Sequence, residues 1–197
     1  SNTASPFGAN APRTAPDGRP VQAGRDANRI RAYHGTPHEF DQFSTKFTGS
    51  GEGGQAFGHG LYFAENEAVA RSYMPSNGRL YEVDIPDGPY LDWDNAVGQQ
   101  PQDGMAALRS VIGGSDRYWV NEFHNGARLG YAIGPGRVTK ELTDALRELG
   151  IVGIRYLDQG SRGASGGARG SGTSNFVVFS DADVRMVARD GKPISAA

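Results

Sequence analysis

Alternation of polar and apolar positions along the chain predicts a series of short strands. Residues 29–34 and 80–85 alternate between polar and apolar side chains, and prolines at Pro37 and Pro86 follow them, where a missing backbone N–H stops a ladder. Further apolar or alternating segments predict strands at 60–64, 89–93, 152–157, 175–179 and 184–187.

Helical spacing is restricted to a few segments between these strands. Asn66 is a good N-cap residue for a helix that runs to about Tyr73, and Glu67 suits its first turn. A stronger helix is predicted over 138–149, where Gly150 provides a stop. Two more helices are predicted over 102–112 and 116–123. Strands outnumber helices and are often joined without a crossover helix, which favours the α+β class.

The length and composition set the domain organisation. The 197 residues suffice for one compact domain. Residues 1–28 are rich in Pro, Gly, Asn, Ala and Arg, which predicts a disordered or surface-draped linker before a domain at 29–188, and 189–197 are expected to form a flexible tail. The Gly-, Ser- and Arg-rich segment 158–174 is expected to be an exposed, mobile loop.

Charge and residue usage exclude several classes of function. A net charge of −2 gives no electrostatic footprint for nucleic acid, and the absence of cysteine excludes disulfides and thiolate metal sites. No apolar run has the length of a membrane span or of a signal core. His34 and His38 do not form a helical metal pair, since Gly35 and Pro37 oppose a helix there. The spacing Gly49-x-Gly51-x-x-Gly54 lacks a strand before it and a helix after it, so it is interpreted as a loop.

Three motifs occur in order in the first half of the chain. The first is Tyr33-His34-Gly35-Thr36, and the second is Gly58-His59-Gly60-Leu61-Tyr62-Phe63-Ala64. The third is Tyr73, which is separated from Tyr62 by ten residues. This order resembles the ADP-ribosyltransferases of the diphtheria-toxin and poly(ADP-ribose) polymerase type, most closely the toxin and mobile-element domains. The resemblance implies a split β-sandwich with NAD bound in the cleft between two small sheets, with NAD as the substrate and no metal.

The resemblance also assigns roles to these residues. His34 would orient NAD through a ribose hydroxyl, and Gly35 would clamp the nicotinamide amide with its peptide groups, with a hydroxyl contact from Thr36. Tyr62 and Tyr73 would stack on the nicotinamide ring, which gains on the order of 0.5–2 kcal/mol for each cation–aromatic contact. A tyrosine considered alone is more often an ordinary aromatic residue of the core or its rim. Gly60 and Ala64 complete the cofactor-binding segment.

The sequence departs from the family at the start of the strand 175–179. Family members usually carry a glutamate there, whereas this chain has Asn175, which can bind a ribose hydroxyl but cannot accept a proton. Asp158 or Gln159 is a candidate for the missing polar group. In the preceding loop, Arg162 and Arg169 are expected to face the target, although such arginines are commonly just solvated.

The expected function is therefore mono-ADP-ribosyl transfer from NAD to a macromolecular acceptor of unknown class. An NAD glycohydrolase toxin, or a weakly catalytic module that binds NAD or ADP-ribose, remains the alternative because of Asn175. The resemblance further implies a bacterial or phage effector, secreted or injected and acting in the target-cell cytoplasm. A cognate immunity or inhibitor protein is an expected partner, and no membrane partner is expected.

Overall fold

The structure is a computed structural model, and it describes residues 29–47, 56–112, 126–134, 136–158 and 172–194. The linker predicted at 1–28, the helix predicted at 116–123, and the loop residues Gln159, Arg162 and Arg169 lie outside these ranges.

The described residues form a mixed α+β fold built on one mostly antiparallel sheet, which confirms the predicted class. The sheet has the strand order β4-β5-β6-β2-β1-β3-β7-β8, and only β4 and β5 are parallel neighbours. Seven of the observed strands begin and end within two residues of the predicted bounds, and the eighth, β8, was not predicted. They are β1 Arg29–Thr36, β2 Leu61–Ala64, β3 Arg79–Pro86, β4 Tyr90–Asp92, β5 Gly153–Leu157, β6 Ser174–Val178, β7 Arg185–Arg189 and β8 Lys192–Pro193.

Helices α1 Glu67–Ser72, α2 Gln102–Ile112 and α4 Lys140–Glu148 occur where the spacing predicts them. Their N-caps have the expected chemistry: Asn66 Oδ1 accepts from the Ala68 N–H at 2.9 Å, and Thr139 Oγ1 accepts from the Leu142 N–H at 3.3 Å. Helix α3, Leu129–Ile133, was not predicted. None of the helices in these parts of the chain is long and apolar enough to cross a membrane.

The sheet narrows between β1 and β2. These two strands share a single register pair, Tyr33 with Ala64, whereas β1 and β3 are paired along their whole length from Arg29 to Thr36. The sheet therefore consists of two four-stranded halves, β4-β5-β6-β2 and β1-β3-β7-β8, joined by one pair. Two separate small sheets were expected, and a continuous sheet with a narrow junction is observed.

The two halves share one apolar core. Phe63 and Phe176 come from the first half, and Ala32 and Val83 from the second, yet all four belong to the same buried cluster. Tyr90 packs against this cluster too, although three strands separate β4 from β1. The sheet must therefore curl so that the halves face each other on this side.

Helices cover the opposite face. α2 and α4 pack there through Leu108 and Leu146, together with Ile154 and Val177 of the first half. α1 packs over the junction itself, where Ala70 contacts Ala64 and Leu80 in a separate buried cluster. Tyr62, Ala64 and Asn175 have their side chains on this helix-covered face. The His34 side chain lies on the other face, against Phe43 and Phe63.

The sheet also continues past residue 188, the predicted domain boundary. Ala188 and Arg189 of β7 pair with Pro193 and Lys192 of β8. The segment expected to be a flexible tail therefore begins with a hairpin.

Asp84 is the best-bonded carboxylate of the second half, and its loss is expected to destabilise the fold. Its side chain is 2% exposed, with Oδ1 2.8 Å from Arg31 Nε and Oδ2 2.6 Å from Arg185 Nη2. Burial alone would raise the pKa of Asp84, but the hydrogen bonds and charges of Arg185 and Arg31 outweigh it and hold the pKa below 3.8. We expect Asp84→Asn to lower the free energy of unfolding by about 2–3 kcal/mol at pH 7, as measured by urea unfolding.

The pH dependence gives this prediction a sign. Because the folded pKa is depressed, the stabilisation is present above the unfolded pKa and is lost as pH falls through the folded value. The difference between wild type and Asp84→Asn should therefore shrink at low pH. Glu39→Gln is the control, because its ion pairs with Arg79 and Arg189 are exposed and worth about 0–1 kcal/mol. An equal loss in both variants would contradict a special role for Asp84.

Candidate functional site

His34 and Tyr62 meet where β1 and β2 separate. Beyond the pair Tyr33–Ala64 the two strands diverge, and His34 Nδ1 lies 2.8 Å from the carbonyl oxygen of Tyr62. A carbonyl only accepts, so Nδ1 carries the proton and donates. In the neutral ring Nε2 is then left as an acceptor.

Aromatic rings hold the His34 imidazole in place. The rings of Phe43 and Phe63 lie edge-on to it, with centroids at 5.3 and 5.9 Å, and Phe40 lies at 6.5 Å. Burial lowers the pKa of His34 below 6.5, and the hydrogen bond to Tyr62 opposes this without reversing it. His34 is therefore a neutral, oriented acceptor at pH 7.

The peptide groups of Gly35 point toward the gap between the strands. The Glu65 N–H donates to the Ser174 carbonyl, so the peptide groups of Ala64, one residue earlier, point the other way, toward β1. Ala64 pairs with Tyr33, and Gly35 lies two residues further along β1 with the same peptide direction. No register pair joins Gly35 to β2.

Helix α1 occupies the space above Gly35. A Cβ at this position would lie 2.0 Å from the carbonyl oxygen of Ala70 and 3.3 Å from Met74 Cβ. The close approach that glycine permits is therefore, in this structure, that of the α1 backbone. Gly60 is likewise required by packing: its φ is +158°, and a Cβ would lie 2.6 Å from the Val178 carbonyl oxygen.

Tyr62 lies on the helix-covered face, and its ring packs toward Tyr156 of β5. Its hydroxyl donates to the Gly58 carbonyl at 2.7 Å, and its ring lies edge-on to Tyr156 with centroids 6.5 Å apart. Burial raises the pKa of Tyr62 to about 12, so the hydroxyl stays protonated. The ring is partly buried against the core that α2 and α4 cover.

Asn175 shares this face with Tyr62. In β6 it lies between Ala64 of β2 and Tyr156 of β5, and alternation places it on the side of Val177, which pairs with Tyr62. Its side chain is 6% exposed, and Oδ1 is buried without a hydrogen-bond partner among the described residues. An unmet buried polar atom costs about 1–3 kcal/mol, so it marks a position that a ligand can satisfy.

Asp158 and Thr173 form a polar pair beside Asn175, and only Asp158 was a candidate from the sequence. The Asp158 N–H donates to the Thr173 carbonyl at 3.2 Å, and Thr173 Oγ1 donates to Asp158 Oδ2. Asp158 was considered from the sequence as a source of a polar group, whereas Thr173 was missed. Its position two residues before Asn175 in an extended segment is the signal that places both on one face.

The other predicted residues are less closely associated. Tyr73 is the C-cap residue of α1 through its backbone N–H, and it is 66% exposed, with no ring contact to Tyr62 in the described residues. Thr36 is buried, and its hydroxyl accepts from the His38 N–H at 3.3 Å. The structure thus places Tyr62, Ala64 and Asn175 on one face of the sheet, next to Gly35 at the junction, while the His34 ring meets the Tyr62 carbonyl from the other face. Tyr73 is at the rim, and Arg162 and Arg169 lie outside the described residues.

A cavity of about 310 Å³ lies elsewhere, between the facing halves of the sheet. Ile30 of β1, Tyr90 and Asp92 of β4, and Arg155 of β5 line it, and Arg155 Nε is 4.0 Å from Asp92 Oδ2. It contains none of the predicted site residues. Within the described ranges no group of three or more His, Asp or Glu side chains is placed to hold a metal ion.

No protein-family model, curated protein or solved structure shows a significant match to the chain.

The lowered pKa of His34 predicts a loss of stability in mild acid. The unfolded chain binds a proton at this histidine near pH 6.5, whereas the folded chain does so only at lower pH. As pH falls below about 6.5, the free energy of unfolding therefore decreases by up to about 1.4 kcal/mol per pH unit, until the folded pKa is reached. We expect His34→Phe to lack this part of the pH dependence in denaturant titrations between pH 7 and 5. His38→Phe is the control, since His38 is exposed. Persistence of the acid loss in His34→Phe would assign it to another group.

Proposed function

We propose that the chain is an NAD-dependent mono-ADP-ribosyltransferase, which moves ADP-ribose from NAD to a macromolecular acceptor and releases nicotinamide. The unsatisfied Oδ1 of Asn175 carries the proposal, because it is buried on the same face as Tyr62. A carboxamide both donates and accepts, and a ribose hydroxyl requires both. The narrow β1–β2 junction supports the split β-sandwich that this function implies.

The other residues of the junction suit the remaining parts of NAD. In this proposal His34 Nε2 accepts a hydrogen bond from a second ribose hydroxyl, and the Gly35 peptide groups bind the nicotinamide carboxamide. Tyr62 provides an aromatic face for the cationic ring, and Tyr73, at the rim, would have to move inward to provide a second. Thr36, Gly60 and Ala64 would shape the surrounding backbone.

A binding module for NAD or ADP-ribose is the second candidate, and Asn175 is the observation that favours it. An amide in place of a carboxylate holds a sugar but neither accepts a proton nor stabilises an oxocarbenium ion by charge. An NAD glycohydrolase is the third candidate, with water as the acceptor.

One experiment separates these candidates. The chain is incubated with NAD labelled in the ADP-ribose part, with and without cell lysate, while nicotinamide release, label transfer and NAD binding by calorimetry are measured. Labelled macromolecules support transfer, and mass spectrometry of them identifies the acceptor. Release without labelling supports the glycohydrolase, and binding without release supports the module. Absence of both binding and turnover would overturn the proposal.

The biological setting belongs to the same proposal. A secreted or injected effector that acts in the target-cell cytoplasm would arrest growth when expressed inside a bacterial host. A cognate inhibitor protein would relieve the arrest. Growth unaffected by a chain that labels lysate proteins in vitro would argue against the effector role.

A further inference from the structure

The carboxylate that position 175 lacks is present on the neighbouring strand. The last pair of β5 and β6 is Leu157 with Ser174, and the Asp158 N–H continues the ladder to the Thr173 carbonyl at 3.2 Å. Asp158 is therefore opposite Thr173 and diagonal to Asn175, on the same face. Diagonal neighbours on antiparallel strands are about 7–8 Å apart, which leaves room for a ribose carbon and an attacking group between the two side chains.

Asp158 is also prepared for a chemical task. It is 6% exposed, and Thr173 Oγ1 holds one of its carboxylate oxygens. A buried carboxylate that is oriented by a hydroxyl acts in a low-dielectric environment, where its charge has a larger effect on a developing cation than in water. The orphan Oδ1 of Asn175 marks the ligand position beside it.

We propose that Asp158 is the carboxylate of the transfer reaction, and that Asn175 and Asp158 divide the binding and chemical roles between them; this rests on the proposed function. Asn175 holds the ribose while the C1′–N bond to nicotinamide breaks. The electron pair of that bond stays on the pyridinium nitrogen and neutralises its charge, so that neutral nicotinamide leaves. The lone pair of the acceptor, a hydroxyl, an amine or water, forms the new bond to C1′. The acceptor proton passes to Asp158 and then to solvent.

Glu65 is the competing carboxylate, on the other side of β6. Its Oε2 accepts from the Ser174 N–H at 2.8 Å, where it takes the place of the backbone acceptor that would continue the ladder. That bond gives Glu65 a structural task at the end of β2. Glu65 is opposite Ser174, because its N–H donates to the Ser174 carbonyl, and so it does not share the face of Asn175 and Asp158.

The test separates binding from chemistry with isosteric variants. For Asp158→Asn, which retains an oxygen for Thr173, we expect single-turnover nicotinamide release from saturating NAD, with water as acceptor, to fall at least a hundredfold. The NAD dissociation constant should change less than threefold. Asn175→Ala should show the opposite signature, a dissociation constant raised about tenfold or more. A weakened affinity with an unchanged rate in Asp158→Asn would overturn the assignment.

Two further variants keep the proposal falsifiable. Glu65→Gln preserves the bond to Ser174 and removes one charge beside the same strand, so we expect a rate of nicotinamide release within threefold of wild type. A hundredfold loss in Glu65→Gln, with Asp158→Asn active, would assign the role of the reaction's carboxylate to Glu65. Should Asp158→Asn not fold, Thr173→Val removes only the hydroxyl and should slow release about tenfold at constant affinity, and an unchanged rate would refute the proposal. If wild type neither binds nor cleaves NAD, the proposed function fails first, whereas an active wild type with a fully active Asp158→Asn rejects only the assignment.

Discussion

Replacement of Gly35 with alanine is expected to lower the free energy of unfolding by about 3 kcal/mol, the upper end of the usual cost of overpacking. The new Cβ would lie 2.0 Å from the carbonyl oxygen of Ala70, a backbone atom that cannot rotate away as the end of a side chain can. Helix α1 would have to shift off the junction between the two halves of the sheet. Urea unfolding followed by circular dichroism measures the loss.

Gly126 offers a matched control for this substitution. No atom of the residues that the structure describes lies within 4 Å of a Cβ built there, and its backbone is outside the left-handed region. We expect Gly126→Ala to change stability by no more than about 0.5 kcal/mol. If Gly35→Ala kept the stability of wild type and lost only NAD affinity, glycine would instead be required for ligand binding.

The strands and helix caps were predictable because their signals are local. Alternation over 80–85 defines β3, and side-chain oxygens at Asn66 and Thr139 begin α1 and α4 where capping chemistry requires. Helix α3 has no such signal. Its five residues are too few for a periodic pattern, and it is held by tertiary contact: the Gly130 N–H donates to the Trp93 carbonyl at 2.9 Å, and a Cβ on Gly130 would lie 2.1 Å from the Trp93 indole nitrogen.

The candidate site was predictable as a set of residues but not as an arrangement. Motif order indicates which side chains matter, whereas strand pairing decides which of them share a face. Ala64 and Asn175 are distant in sequence and directly opposite in the sheet, and only that pairing brings Asn175 onto the side of Tyr62. The β5–β6 pairing likewise places Asp158 opposite Thr173 and beside Asn175, and the spacing of residues along the chain does not reveal that pairing.

Tyr73 shows the limit of the motif in the other direction. The spacing from Tyr62 places it at the end of α1, as predicted, but its ring is largely exposed and does not contact Tyr62. The six residues of α1 are too short to bury more than the face that carries Ala70. Two stacked tyrosines around one ligand thus require a rearrangement that sequence alone does not reveal.

Loss of the Tyr62 ring is expected to cause a large functional defect. If the proposed function holds, Tyr62→Ala should lower kcat/KM for nicotinamide release tenfold or more, because a lost ring contact worth about 1.4 kcal/mol corresponds to one decade. The change also removes packing against the core near Tyr156. Turnover should therefore be measured well below the melting temperature of the variant.

Tyr62→Phe distinguishes the aromatic face from the hydroxyl. It retains the ring and removes only the 2.7 Å bond to the Gly58 carbonyl, so we expect turnover within about threefold of wild type. His38→Ala, at an exposed side chain, should be equally silent. If Tyr62→Phe proved as impaired as Tyr62→Ala, the position of the Gly58 segment would be the limiting feature, because the stacking surface is the same in wild type and Tyr62→Phe. If both variants kept full activity, Tyr62 would be a packing residue of the core and the nicotinamide site would have to lie elsewhere.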